Sequence, residues 1–276
     1  MTEEVGAVAD EVAEETVHPP EGMRVRTAKG VLINTAFRVG LALVALLRNV
    51  AFAAFLTRDE YGLWGLVLTT LITIAFLKQV GISDKFVQQR EPDQEAAFQK
   101  AFSLELAYSG IFYVLAVAAI PVYALVVYGQ EDVLLPALAL SVSLLVSAFQ
   151  SPIWVFYRRL EYGRQRALES IDPVVTTALT VGLLAAGAGV WGLVVGSLAG
   201  SISAAVVAVA VSPYRLRWRF DRGTLGEYVS FSWPLLVSGI GGLAVVQGAL
   251  IVGEAALGLA AVGVIGLAGN VAGFGN

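Results

Sequence analysis

Four polar residues share one side of the first apolar stretch of the chain. At 100° per residue of a helix, Asn34, Arg38 and Asn49 fall within about 60° of one another, and Arg48 lies about 80° from Arg38. Charged side chains in an apolar helix are costly inside a bilayer unless they face water or a protein partner. Arg48 can snorkel to the nearer membrane surface, whereas Arg38 is too deep to do so easily. The stripe could therefore recognise a polar or charged group within the membrane.

Four more polar side chains occur in later apolar stretches. Glu105, Gln150 and Asp172 fall within about two turns of the basic-rich end of their helices, near the depth of Asn34 and Arg38. Gln247 falls in the opposite half of its helix, near the depth of Arg48. The sequence therefore predicts polar cavity contacts at two depths.

Both carboxylates also have structural readings. Asp172 precedes Pro173, a pair typical of a helix N-cap followed by proline at the first helical position. Glu105 can instead pair with Lys100 or with water at the lipid boundary. Both readings are compatible with the sequence.

Residue types needed for several kinds of site are scarce. The chain contains no cysteine, which excludes disulfides, thiol catalysis and cysteine metal sites. Its single histidine, His18, lies in an acidic N-terminal segment and not in an apolar stretch. The sequence predicts no metal site and no cofactor.

Basic residues are distributed asymmetrically along an apolar chain. Hydrophobic residues make up 57% and charged residues 14% of the sequence, against about 45–50% and about 25% in soluble domains. Of the 18 Lys and Arg residues, 15 lie before the first apolar stretch or in every second connection. The positive-inside rule makes this a multi-pass protein of the cell membrane with a cytoplasmic N-terminus. The pI of about 5.1 does not favour nucleic acid as a partner.

The apolar stretches predict an all-α polytopic membrane protein with about eight spans, the eighth beginning near residue 257 and cut off at Asn276. The other seven spans are predicted near residues 30–56, 61–80, 98–125, 133–156, 168–187, 190–211 and 230–253. In the sixth span, Gly192, Gly196 and Gly200 recur every four residues, which predicts a face of close helix packing.

A short repeat suggests how the spans are organised. Residues 56–66 and 257–267 share Leu, Gly, Gly and Leu at a constant offset of 201, each after a span that starts at the cytoplasmic face. Parallel repeats of this kind occur in transporters. We therefore expect four regions: a disordered acidic cytoplasmic tail (1–23), a first six-helix lobe (24–212), a cytoplasmic linker (213–229) and the start of a second, incomplete lobe (230–276).

Four short motifs resemble one known family. Residues 56–63 (LTRDEYGL) look like the Leu-Thr-Pro-Glu-Glu-Tyr-Gly element of polysaccharide-biosynthesis, Wzx-type oligosaccharide flippases. Residues 81–89 are similar to that family's Gly-Leu…Leu-Ile-Gln segment, 189–194 to its Gly-Val-Trp-Ala-Leu-Val element, and 231–236 to its Phe-Gly-Leu-Pro-Leu-Leu element. The resemblance covers residues 25–276, and the order and spacing of the motifs make it specific.

The resemblance implies a fold and exposes two departures. This superfamily, called MOP, also holds the multidrug MATE exporters, and its members have two six-helix lobes around a central cavity. The chain would be the first lobe and the beginning of the second. The family often has an aspartate where this chain has Gly248, and a proline where it has Arg58, so any role of that aspartate is absent or moved.

The function implied is that of a flippase for a polyprenyl-phosphate-linked oligosaccharide, used in surface polysaccharide or glycan assembly. Arg38 and then Arg48 would bind the phosphate, with Asn34, Asn49, Gln150 and Gln247 as polar neighbours. Glu105 or Asp172 would couple transport to an ion gradient. The partners would be the lipid-linked glycan, membrane lipids and glycan-assembly enzymes.

Three alternatives stay open. A MATE-like antiporter of cationic drugs needs an acidic cavity, which the two arginines of the first span disfavour. A membrane glycosyltransferase or ligase needs a catalytic carboxylate pair or a His/Arg cluster on a sizeable outer loop; no outer connection in residues 1–276 is long enough, although a part of the protein beyond them could hold one. A membrane scaffold without transport activity is the third.

Overall fold

The structure is a computed structural model that describes residues 21–78, 81–89, 91–234, 237 and 241. These residues form helices and connections, and no strand occurs among them. The α-helices are α1 (Glu21–Phe55), α2 (Arg58–Lys78), α3 (Ile82–Gln88), α4 (Gln94–Pro121), α5 (Leu134–Val146), α6 (Pro152–Arg158), α7 (Tyr162–Ala185), α8 (Gly189–Ala210) and α9 (222–234). A π-helical segment, Val122–Val127, continues α4, and 3₁₀ turns at Glu131–Val133 and Ser147–Gln150 flank α5.

Five segments of the described chain are long and apolar enough to cross a membrane. They are Leu32–Phe55, Gln94–Val127, Glu131–Gln150, Tyr162–Ala185 and Gly189–Ala210. The prediction of an all-α polytopic membrane protein is thereby confirmed. The number of eight spans stays a prediction, because the eighth span, most of the seventh and the second copy of the repeat lie outside the described residues.

The boundaries of several predicted spans differ from the helices. α1 begins at Glu21, so the last three residues of the predicted disordered tail are helical, while residues 1–20 lie outside the described part. The predicted fourth span, 133–156, is not one α-helix but α5, a 3₁₀ turn and α6. Pro152 has no backbone N–H, so it suits the first position of a new helix better than the interior of a continuous one.

The chain groups into two compact units. Unit 1 comprises residues 1–62 and 152–213, and unit 2 comprises residues 63–151 and 214–276. The predicted domains, including the six-helix lobe and the linker, stay predictions.

In unit 1, α7 and α8 form an antiparallel hairpin. Its turn contains Gly187 at a φ of 82°, a left-handed conformation that glycine adopts without strain. α6 packs on the hairpin through a buried apolar cluster of Ile153, Phe156, Leu168 and Ala208. α1 packs along α7, and this packing positions the polar stripe of α1, formed by Asn34, Arg38, Arg48 and Asn49.

The start of α2, also in unit 1, is capped by a reciprocal pair. The backbone N–H and the hydroxyl of Thr57 each donate to Glu60 Oε2 at 2.9 Å, and the Glu60 N–H donates to Thr57 Oγ1 at 3.3 Å. This capping box satisfies helix donors that have no partner within the helix. Hydrogen bonds from the Thr57 backbone and then from its hydroxyl lower the pKa of Glu60.

In unit 2, α4 is the central element. The Asp93 side chain caps it by accepting from the Ala96 N–H at 3.0 Å. Its first turns bury Phe98 and Phe102, and Phe86 of α3 meets Phe98 edge-on with ring centroids 6.0 Å apart. This aromatic cluster fixes the basic-rich end of α4.

Candidate functional site

The polar stripe of α1 lies in unit 1, in a candidate membrane span. Arg38 and Asn49 are exposed, whereas Asn34 and Arg48 are half-buried. Arg38 is six residues from one end of the 24-residue span and Arg48 seven from the other, so each lies about 9–11 Å from the nearer end. An exposed guanidinium at this depth is costly in hydrocarbon, which means that this face of α1 must border water, a ligand or further protein.

Two atoms of the stripe have unused hydrogen-bonding capacity. Among the described residues, the buried Oδ1 of Asn34 and Nε of Arg48 have no hydrogen-bond partner. The guanidinium of Arg48 lies 6.0 Å from the centroid of the Phe52 ring. Buried polar atoms without partners cost about 1–3 kcal/mol each. The stripe can therefore both donate to and accept from a polar group.

Asp172 is held between α7 and α8, also in unit 1. Its Oδ1 accepts from Thr176 Oγ1 at 2.9 Å, and its Oδ2 accepts from Ser201 Oγ at 2.9 Å. The N-cap reading of Asp172 is wrong, because α7 begins at Tyr162 and both Asp172 and Pro173 lie in its interior. The largely polar residues 162–171 form the first turns of α7, and an Arg166–Glu169 ion pair at 2.6 Å stabilises these turns.

The glycines of α8 face α7 next to this carboxylate. A Cβ added at Gly200 would lie 2.7 Å from the Asp172 carbonyl oxygen and would collide with Thr176 Oγ1. A Cβ at Gly196 would lie 3.0 Å from the Thr180 backbone nitrogen and would also collide with its hydroxyl. At Gly192 the nearest atom is Leu183 Cβ at 3.1 Å. The backbones of α7 and α8 can come this close only because these positions carry no side chain.

Glu105 belongs to a polar cluster in unit 2. Lys78 Nζ donates to Glu105 Oε1 at 2.7 Å and to Ser147 Oγ at 2.7 Å, and Ser109 Oγ donates to the same carboxylate oxygen at 3.4 Å. The Lys78 and Glu105 side chains are only 11% and 13% exposed. Three helical elements, α2, α4 and the 3₁₀ turn after α5, are thus joined by one largely buried ion pair.

The expectation that Glu105 pairs with Lys100 is wrong. Lys100 instead binds Glu91 at 2.8 Å, and Glu91 comes from the connection before α4. Lys78 is one of the 15 basic residues counted with the cytoplasmic connections, and it is not among the predicted site residues. The available signal was its position inside the predicted second span, 61–80, with an acidic residue in the next span.

The predicted site residues fall into three groups. Unit 1 holds Asn34, Arg38, Arg48, Asn49, Asp172, Gly192, Gly196 and Gly200. Unit 2 holds Glu105 and Gln150, and Gln150 is half-buried at the end of the 3₁₀ turn that contributes Ser147 to the cluster. Gln247 lies outside the described residues. No group of three or more His, Asp or Glu residues in the described chain could hold a metal ion.

Comparisons with known proteins agree with the sequence motifs. A model of the family described as polysaccharide biosynthesis protein matches residues 51–274. No curated protein matches the chain.

Two solved structures resemble the chain in fold. One is a crystal structure of a MATE mutant, with a TM-score of 0.66, 16% sequence identity, and coverage of 90% of this chain and 59% of the other. The second is an outward-facing multidrug resistance MATE family transporter of the MOP superfamily, with a TM-score of 0.70, 16% identity, and coverage of 91% and 60%. The chain spans about 60% of the length of these proteins.

The family model covers most of the chain, and it confirms the resemblance carried by the four motifs. The structural likeness independently gives a MATE-like helical fold. The chain therefore belongs to the polysaccharide biosynthesis protein family and has a MATE-like helical fold.

Proposed function

We propose that the complete protein is a flippase that moves a polyprenyl-phosphate-linked oligosaccharide from the cytoplasmic to the outer leaflet of the cell membrane. The observation that supports this most is the match to the polysaccharide biosynthesis family over residues 51–274. The likeness to an outward-facing MATE transporter supports a mechanism, implied by the family resemblance, in which two helical lobes rock about a central cavity. The transported glycan would feed the enzymes that assemble surface polysaccharide.

The physical task of such a protein is to carry a charged, hydrated head group through hydrocarbon. Removing a phosphate from water is strongly unfavourable unless charge and hydrogen bonds replace its hydration. Arginine is well suited because its planar guanidinium can donate two parallel hydrogen bonds to phosphate oxygens. We assign this role to Arg38 first and to Arg48 second, with Asn34 and Asn49 as hydrogen-bonding neighbours, while the lipid tail stays in the bilayer.

The proposal assigns different roles to the two carboxylates. Asp172 is the candidate for ion coupling, because it lies in a candidate span and its two partners are neutral hydroxyls. Glu105 already has the ammonium of Lys78 as a counter-ion at 2.7 Å, so we assign it to holding unit 2 together. The orientation with a cytoplasmic N-terminus follows the charge asymmetry of the sequence and is part of the proposal.

A transport assay tests this function. Proteoliposomes containing the complete protein and a fluorescent polyprenyl-diphosphate oligosaccharide would be sampled with an impermeant lectin, which binds only glycan in the outer leaflet. We expect the labelled glycan to equilibrate between the leaflets, and so to become accessible to the lectin, much faster than in protein-free liposomes. An equal rate in both would refute the flippase.

Variants then test the arginine assignment. Arg38→Ala should abolish flipping with normal insertion, and Arg38→Lys should retain part of it, because an ammonium still attracts phosphate but loses the two-pronged geometry. Arg58→Ala, which removes an exposed arginine at the start of α2, is the matched control and should flip normally. Full transport by Arg38→Ala would remove this residue from the mechanism and leave the flippase proposal standing.

Export of small cationic drugs is the second candidate, favoured by the likeness to a multidrug resistance MATE transporter. The two arginines of α1 would repel a cation, which makes this candidate weaker. Cells expressing the protein should show unchanged resistance to cationic dyes under the flippase proposal. Increased dye resistance without glycan movement would favour the exporter.

A further inference from the structure

The segment that follows α8 has a composition that the proposed function does not use. Residues 214–221, which lie within the predicted linker 213–229, are here called the linker segment. They alternate aromatic or apolar side chains with arginines in the order Tyr-Arg-Leu-Arg-Trp-Arg-Phe and end at Asp221. The segment is neither helix nor strand from Arg215 to Asp221. It belongs to unit 2 and precedes α9.

Three side chains of α4 hold the linker segment by its backbone. The Arg215 N–H donates to Glu95 Oε1 at 3.3 Å, Gln99 Nε2 donates to the Arg215 carbonyl at 3.3 Å, and the Arg219 N–H donates to Ser103 Oγ at 2.7 Å. The three α4 residues are spaced by four, so they form one stripe along the helix.

The order of these bonds gives the course of the segment. Arg215 is bonded to both Glu95 and Gln99, and Arg219 is bonded to Ser103, one turn further along α4. The segment from Arg215 to Arg219 therefore runs alongside α4 towards its C-terminal end. The ring of Tyr214 anchors its beginning on Phe98, with centroids 5.9 Å apart.

Arginines occupy every second position from 215 to 219, and all three are exposed. Between and after them, Trp218 is 61% exposed and Phe220 is 50% exposed. Exposed cationic and exposed aromatic side chains are thus interleaved along the segment.

The bond to Ser103 gives the depth of this arrangement. The candidate span Gln94–Val127 has 34 residues, about 51 Å of helix, whereas the hydrocarbon core is about 30 Å thick. The last charged residue of α4 is Glu105, and the uncharged stretch 110–127 rises about 27 Å, close to the thickness of the hydrocarbon core. Ser103, and Arg219 with it, precede this stretch by about two turns and therefore lie near the membrane surface.

We propose that the linker segment is a binding site for the head groups of anionic phospholipids. Arg217 and Arg219 contact the phosphate of the lipid head group, and Trp218 and Phe220 insert at the interface, where aromatic rings are favoured. The acidic group nearest in sequence, Asp221, is occupied in capping α9, because its carboxylate accepts from the Thr224 N–H at 3.0 Å and from the Thr224 hydroxyl at 2.6 Å. Charge and depth both match an anionic lipid surface.

The test uses the complete protein in phosphatidylcholine micelles titrated with phosphatidylglycerol, with the apparent Kd taken from the rise in Tm. Arg217→Gln with Arg219→Gln should weaken phosphatidylglycerol binding by about 30-fold, as two charges at about 1 kcal/mol each imply. Both side chains are exposed and only the backbone of Arg219 bonds to α4, so the variant should fold.

The matched control removes the same number of charges elsewhere. Arg164→Gln with Arg166→Gln neutralises two arginines of α7 that are paired with Glu161 and Glu169 at 2.8 and 2.6 Å. This variant should bind phosphatidylglycerol within about twofold of the unaltered protein, because it changes the charge by the same amount but leaves every residue of the linker segment in place. Equal weakening by both double variants would mean a bulk charge effect and would overturn the proposal, as would unchanged binding by the linker variant.

A competitor separates the lipid from its soluble head group. Glycerol phosphate at the same concentration should not displace phosphatidylglycerol, because it offers nothing for Trp218 and Phe220 to contact at the interface. Displacement by glycerol phosphate would overturn the lipid assignment in favour of a soluble phosphate ligand. None of these measurements depends on transport, so their outcome is independent of the flippase proposal.

Discussion

Replacing Lys78 with methionine should strongly destabilise unit 2. The change removes the ammonium that lies 2.7 Å from both Glu105 Oε1 and Ser147 Oγ. Methionine fills a similar volume but leaves a carboxylate that is only 13% exposed without a counter-ion. Breaking a buried pair in this way costs about 3–5 kcal/mol, and Ser109, which donates at 3.4 Å, compensates little of it.

The double variant Lys78→Met with Glu105→Leu separates pairing from packing. Removing both charges relieves the stranded carboxylate, so most of the lost stability should return. The free energy of unfolding would be measured for each variant by titration with a denaturing detergent, following helix content by circular dichroism. A coupling free energy of several kcal/mol between the two sites is the expected result.

Lys100→Met is the matched control on α4. Its pair with Glu91 is nearly as short, 2.8 Å, but the side chains are 19% and 30% exposed. An ion pair near the surface contributes about 0–1 kcal/mol, so this variant should lose far less stability. Equal losses of stability by Lys78→Met and Lys100→Met would contradict a buried Lys78–Glu105 pair. A double variant as unstable as Lys78→Met alone would contradict it too.

Three further outcomes are expected. Gly200→Val should separate α7 from α8 and lower Tm, whereas Gly182→Ala, where an added Cβ meets nothing within 4 Å, should be tolerated. Of two single cysteines placed at the exposed positions Gln130 and Gly163, only the one at 130 should react with an impermeant thiol reagent applied to cells. That result would support a cytoplasmic N-terminus, and labelling at 163 would contradict it. Hydrogen bonding lowers the pKa of Glu60, so the stability that Glu60 contributes as a cap should be complete above its unfolded-state pKa and lost as pH falls through its folded-state pKa. Glu60→Ala should abolish this pH dependence of the free energy of unfolding. Persistence of the pH dependence in the variant would argue against the cap.

The start of α7 shows that a local sequence signal can predict the wrong helix boundary. An aspartate followed by proline is typical of a helix start, yet α7 begins ten residues earlier, at Tyr162. Contacts with α8 supply what the local signal lacked: Ser201 binds the Asp172 carboxylate, and Gly200 lets the two backbones approach. Tertiary packing therefore outweighs the local preference of the Asp-Pro pair.

The sequence by itself determined the class of fold and the family. Long apolar stretches can satisfy their backbone polar groups in a membrane only as helices, and the ordered motifs between residues 56 and 236 identified the polysaccharide biosynthesis family. Helical periodicity also placed Arg38 and its neighbours on one side of α1, because that relation involves a single helix.

Only the tertiary structure decided which polar groups meet. The partner of a side chain depends on the rotation and depth of two helices relative to each other, and the sequence of either helix fixes neither quantity. Glu105 on α4 pairs with Lys78 on α2, while Lys100, a residue nearer to Glu105 in sequence, binds Glu91. In the same way, Glu95, Gln99 and Ser103 became a support for the linker segment only when residues more than a hundred positions later folded against them.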